Sequence, residues 1–154
     1  MSEPYEEQIA GDRWLRQAPD PRHERICARL HERVGACLNG ASRLLAVREA
    51  VSLSVDTKLR PDLALVTAAT GKLWLAAEIV HAGDHRPDTV AKKDAYEAAR
   101  LARLWMVDPR YDNVEVYHGG PYGLELKGIL TGREMLAEKL LPGFQLLVGD
   151  LFSP

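Results

Sequence analysis

The chain has 154 residues, a formal net charge of −2, and 46% hydrophobic against 27% charged residues. That is enough for a single domain with one sizeable core, and no run approaches the roughly 18 apolar residues of a membrane span. An acidic balance argues against a surface that is basic all over, but six arginines fall between Arg13 and Arg33. The opening MSEPYEEQIAGDRW is acidic and polar, unlike a secretory signal. The expected compartment is the cytoplasm.

Residues 1–20 read as an irregular N-terminal arm with a short strand near Arg13–Arg16, and residues 21–154 as one domain. The first helix is expected over 21–38, with Asp20 as N-cap and Pro21 in the first turn. Ile26, Leu30, Val34 and Leu38 recur every four residues as its buried stripe. Arg22, Arg25, Arg29 and Arg33 form a second stripe, either a phosphate-binding face or a solvated one. Asn39-Gly40 suits the C-cap. Cys27 and Cys37 on one helix would stand roughly 15 Å apart, too far for a disulfide, and read as free thiols.

Short strands are expected between Leu44 and Val55. PDLALV (61–66) and LWLAAEIV (73–80) are nearly continuous apolar runs, as in strands buried on both faces. Pro87 opens a second helix to about Leu101. The apolar strand LWMVDP (104–109) follows, and then NVEVYH (113–118) and YGLELKG (122–128) flank Gly119-Gly120 as a hairpin. The expected fold is an α/β sandwich around a central mixed sheet, with an N-terminal helix and a crossover helix.

Asp62 and Glu78 are the acidic residues within the two most apolar strands. A carboxylate there is costly unless it is paired or holds a cation. In a hairpin centred on Thr70, residues whose numbers sum to 140 face each other: Val66 with Trp74, Ala64 with Ala76, Asp62 with Glu78. Opposed side chains have Cβ atoms roughly 4.5–5.5 Å apart. Two ionised carboxylates that close repel, and a divalent cation turns repulsion into binding. Oxygen ligands favour Mg²⁺ or Mn²⁺. The competing reading makes Asp62 a strand cap and Glu78 the partner of an arginine.

The order of motifs resembles the bacterial Uma-two family of restriction-endonuclease-like proteins, within the PD-(D/E)xK nuclease superfamily. The residues that carry it are His23 in PRHERI, Pro61-Asp62, Glu78-Ile79-Val80, Asp88, Lys92 and Tyr96 at D-x-x-x-K-x-x-x-Y spacing, WMVDP (105–109), and LLPGFQLLVGDLF (140–152). The resemblance implies an endonuclease that hydrolyses phosphodiester bonds, with DNA as substrate. It implies Mg²⁺ or Mn²⁺ held by Asp62, Glu78 and the Ile79 main-chain carbonyl, with Lys92 as the catalytic cation. His23 and Tyr96 are auxiliary candidates, and Arg22, Arg25 and Arg29 candidates for phosphate.

The chain departs from the family pattern at Val80, where the superfamily often has lysine, and at 81–83, where His-Ala-Gly replaces Ser-Pro. Lys93 competes with Lys92, and a zinc cluster of His81, Asp84 and His85 ranks low. The alternative function is a catalytically inert binding or assembly module on the same fold. A homodimer is also implied, through Trp105, Tyr117 and Tyr122.

Overall fold

The computed structural model describes residues 2–81 and 83–154. Met1 and Ala82 lie outside the described residues, and with Ala82 the middle of the 81–83 departure.

A six-stranded mixed sheet forms the centre. Its strands are β3 (Ser42–Leu44), β6 (Leu63–Thr67), β7 (Leu73–Ile79), β8 (Arg103–Asp108), β9 (Asn113–Gly120) and β10 (Gly123–Leu130), in the order β10-β9-β8-β7-β6-β3. Only β7 and β8 run parallel; the other neighbours are antiparallel. The parallel pair needs a crossover, supplied by a π-helical turn (Pro87–Lys92) that leads into α2 (Lys93–Ala98).

One face of the sheet is covered by α1 (Pro21–Gly35) and the C-terminal segment, which holds β11 (Met135–Ala137), β12 (Gln145–Leu147) and α3 (Val148–Phe152). Ile26, Leu30 and Val34 pack there against Leu63, Leu75, Ile79 and Trp105. On the other face Tyr96, Leu59 and Leu101 meet Ala76, Leu104 and Met106. This arrangement is the expected sandwich.

The expectations err at several edges. The strand expected near Arg13–Arg16 is β2 (Asp12–Arg16), but the residues before it are not irregular: β1 (Tyr5–Ile9) pairs with it as a hairpin. It joins β4 (Val51–Ser54) and β5 (Thr57–Leu59) in a second sheet ordered β2-β1-β5-β4. The first helix keeps its predicted cap, with Asp20 accepting from the His23 N–H, but ends at Gly35, before Asn39-Gly40. Cys37 therefore lies beyond the helix, and both cysteines are free. Burial pushes the Cys27 thiol up to about 12, so it is not a ready nucleophile.

The second helix is shorter than predicted and stops at Ala98, followed by Arg100 at φ 57°. Gly119 and Gly120 are not the hairpin turn; they end β9, and the reversal falls at Pro121–Tyr122. Gly119 is needed for close approach instead, since a Cβ there would stand 2.3 Å from the Leu101 carbonyl oxygen.

The β6–β7 register follows the expected sum for Leu63–Ala77, Ala64–Ala76 and Leu65–Leu75. A bulge then sets Leu73, not Trp74, opposite Val66. The irregularity sits near the turn, so the end of the pair that carries the acids keeps its predicted alignment.

Candidate active site

Asp62 stands one residue before β6 and Glu78 one residue from the end of β7. Extending the Leu63–Ala77 pairing by one residue sets the two opposite each other. Both are buried, 2% and 1% exposed. Each carboxylate is already engaged by basic or polar groups.

The Asp62 Oδ1 lies 3.0 Å from His23 Nε2 and accepts from the Arg48 guanidinium at 2.8 Å. Its Oδ2 accepts from the Ile79 N–H at 2.8 Å. Burial would raise this carboxyl, but the His23 hydrogen bond, the Lys92 charge and the Ile79 N–H together hold it well below the usual carboxylate range. Arg48 sits at φ 55° and also grips Glu24, so α1 and the β3–β4 loop meet at Asp62.

On Glu78, Oε1 accepts from Lys92 Nζ at 2.7 Å, and Oε2 accepts from the Tyr96 hydroxyl. The π-helical turn and α2 project Asp88, Lys92 and Tyr96 inward, and all three are buried. Such π turns are rare and cluster at functional sites. Burial pushes Glu78 up to about 8, Lys92 opposes this, and Asp62, Glu7 and Asp88 add to it. Burial would lower Lys92, but attraction to Glu78, Glu7 and Asp88 holds its ammonium above the ordinary lysine range.

A second tier of charge comes from the N-terminal hairpin. Lys92 Nζ also lies 2.7 Å from Glu7 Oε2. Arg16, 1% exposed, bridges Glu7 Oε1 at 2.7 Å and Asp88 Oδ1 at 2.8 Å. The other Asp88 oxygen accepts from the His81 N–H at 3.0 Å. Four buried carboxylates, Glu7, Asp62, Glu78 and Asp88, thus face three permanent cations, Arg16, Arg48 and Lys92. The fourth acid, Glu78, is the one whose carboxyl is raised, so near neutral pH its proton balances the cluster.

The sequence reading brought Asp62, Glu78, Lys92, His23 and Tyr96 to one place and missed Glu7, Arg16, Arg48 and Asp88 as partners. Lys93 lies elsewhere, its Nζ 4.5 Å from the centre of the Tyr117 ring. Of the arginine stripe, Arg22 bonds the Pro109 carbonyl and Asp112, Arg29 the C-terminal carbonyls from Asp150 onward, and Arg33 the Gln145 carbonyl. These three guanidiniums tie α1 to the rest of the fold. Arg25 is exposed.

His81 is 8% exposed, whereas His85 is exposed on the surface. Among the described residues no three His, Cys, Asp or Glu side chains cluster as a metal site. That applies to the zinc alternative and equally to Asp62 and Glu78, which bring two carboxylates. The His81 Nε2 has no partner among the described residues, and its ring centre is 5.0 Å from that of His23. A cavity of about 70 Å³ opens beside both rings, lined by Asp20, Arg22, His23, Val80, His81 and Pro109. A larger one, about 370 Å³, lies between α2 and the β9–β10 hairpin, and none of the buried charges lines it.

No helix among the described residues is long and apolar enough to cross a membrane. The fold is similar to a crystal structure from Anabaena variabilis described as a "putative nuclease", with a TM-score of 0.81. That match covers 98% of this chain and 91% of the other at 15% identity, which is likeness of fold. No curated protein matches the chain. The Uma2 family, described as "Putative restriction endonuclease", matches residues 3–149, and the chain belongs to it.

Proposed function

We propose that the chain is a divalent-metal-dependent endonuclease that hydrolyses phosphodiester bonds in DNA. The observation that carries this is a pair of buried acids on adjoining strands beside a fully buried lysine. The family and the fold of the neighbour support nuclease chemistry.

The residues fit a hard divalent ion in kind. Asp62, Glu78 and the Ile79 carbonyl offer oxygen, the donor that Mg²⁺ and Mn²⁺ prefer. Near neutral pH the proton that Glu78 keeps balances the three cations, so a divalent ion would bind there in exchange for that proton. When bound, the ion supplies a polarised phosphate oxygen and a water acidic enough to yield hydroxide near neutral pH.

The protein's own groups do the rest. Lys92 brings a fixed positive charge to the phosphate as negative charge grows on it. Tyr96 orients Glu78 through its hydroxyl, and His23 with the Ile79 N–H fixes Asp62. Arg25, exposed on α1, is the stripe residue best placed to meet a backbone phosphate.

A second reading, an inert module on the same fold, is favoured by one observation. Arg48 and Lys92 already neutralise Asp62 and Glu78. Nicking of supercoiled plasmid by purified protein with Mg²⁺ or Mn²⁺ separates the two. Cutting that needs the metal and vanishes in Asp62→Ala supports the nuclease. Equal cutting by both proteins assigns it to a contaminant. Calorimetry that finds no Mn²⁺ uptake at millimolar concentration favours the inert module.

A homodimer belongs to the same proposal, but on a different surface from the one expected. Trp105 and Tyr117 are buried, 0% and 7% exposed, and only Tyr122 of the three expected residues is open, at 97%. The edge strand β10 adds Leu126 and Ile129, each 49% exposed. An open apolar edge is where a second strand would pair.

A further inference from the structure

We propose that Glu7, on the N-terminal hairpin, is the positioning residue that keeps Lys92 in place when a divalent ion takes Glu78. This rests on the metal reading of Asp62 and Glu78 given above.

Glu7 is the one residue of β1 with its side chain fully inside, 2% exposed in a strand that is otherwise half-buried or open. Three groups meet its carboxylate. Oε1 receives the Arg16 guanidinium at 2.7 Å, and Oε2 receives both the Arg60 N–H and Lys92 Nζ, each at 2.7 Å. Arg16 and Arg60 hold Glu7 from its own side of the cluster, leaving Oε2 turned to the lysine.

Lys92 therefore has two acid partners, Glu7 Oε2 and Glu78 Oε1, at the same 2.7 Å. A cation that binds Glu78 competes for the same oxygens and repels an ammonium standing that close. Lys92 is 0% exposed, so water is not there to receive the displaced group. A buried charge without a partner is strongly destabilising. Glu7 removes that obstacle: the ammonium loses one acid and keeps the other without crossing any open space. Glu7 thus makes the exchange of Lys92 for metal at Glu78 possible, and it leaves the ammonium beside the ion instead of driving it away.

The test is Mn²⁺ binding by calorimetry to wild type, Glu7→Gln, Lys92→Met and the double variant, each checked for a cooperative thermal melt. Glu7→Gln is expected to weaken binding about tenfold or more, the scale for removing a group that supports a metal site from outside the ligand set. Lys92→Met, which removes the competing cation, is expected to bind more tightly than wild type. In that background Glu7→Gln should change affinity far less than it does when the lysine is present. Equal losses in both backgrounds would mean that Glu7 acts only through its own charge, and would overturn the proposal. So would unchanged affinity in Glu7→Gln. Should Glu7→Gln not fold, Glu7→Asp, which keeps the charge but withdraws it from Lys92, takes its place, and affinity unchanged from wild type overturns the idea. Wild type that takes up no Mn²⁺ overturns the metal reading itself, an outcome distinct from binding that ignores Glu7.

Discussion

Lys92 Nζ lies 2.7 Å from Glu78 Oε1, with neither side chain reaching solvent. The pair is the innermost link of a chain that runs Asp88, Arg16, Glu7, Lys92, Glu78 and Tyr96 through the sheet's second face. Its members come from the hairpin, β7, the π-helical turn and α2, so the charged core ties the two sheets together. A nuclease assembled here would hold its catalytic cation in the resting state by the same acid that later binds metal.

Lys92→Met is expected to lower kcat for plasmid cleavage by about 10²–10³, the scale for removing one group that stabilises transition-state charge. Single-turnover cleavage at saturating Mn²⁺ measures this. A fall that extra metal restores would instead make Lys92 part of metal binding alone.

The pH dependence of folding should carry the mark of Glu78. Its carboxyl rises from an ordinary 4.5 to about 8 on folding, mainly through burial. Between those values the unfolded chain releases the proton and the folded one keeps it. The folded state then binds more protons, so stability falls as pH rises through that window. Wild type without metal is expected to lose stability relative to Glu78→Gln from pH 4.5 toward pH 8. Urea melts at several pH values check this, and a difference that is flat with pH would refute it.

Arg16 is the keystone of the outer tier, because Glu7 and Asp88 both depend on its guanidinium. Arg16→Met leaves two buried acids short of a partner, and removing one member of such a pair costs about 3–5 kcal/mol. That is a large share of a small domain's stability. Chemical denaturation with EDTA present should show the loss. A change below about 1 kcal/mol would mean that the acids find protons or water at little cost.

How much of this was legible in the residues follows from the physics of each element. Asp62, just before β6, and Glu78, on β7, stood out because a charge in an apolar run is conspicuous, and the register near the acids needed only the position of the turn. Lys92 and Tyr96 came from motif spacing along the crossover. The hairpin at 5–16 was legible only as its second strand near Arg13–Arg16, and the rest was missed for the opposite reason. Its buried side chains include Glu7 and Arg16, so hydrophobic alternation, which finds strands by their apolar faces, runs the wrong way there. The Ala10-Gly11 turn, both residues at positive φ, was the signal available, since a glycine between two strand-length segments suggests a hairpin. Arg48 could not be found from sequence, because its reach to Asp62 depends on a left-handed backbone in a loop. The arginine stripe was visible, but its contacts with the C-terminal carbonyls depend on where the chain returns.

The dimer prediction concerns β10. Ile129→Lys places a charge on the open edge strand, a device that blocks pairing between sheets. Light scattering is expected to show a dimer for wild type and a monomer for this variant, with the thermal melt unchanged. A wild-type monomer at high concentration would remove the dimer.

The most direct test is a crystal soaked in Mn²⁺ above pH 8, where Glu78 has lost its proton, and examined for anomalous scattering. One peak is expected, shared by the Asp62 and Glu78 carboxylates and the Ile79 carbonyl, with Lys92 moved off Glu78 and still on Glu7. No peak there, with the Lys92–Glu78 pair intact, would contradict it.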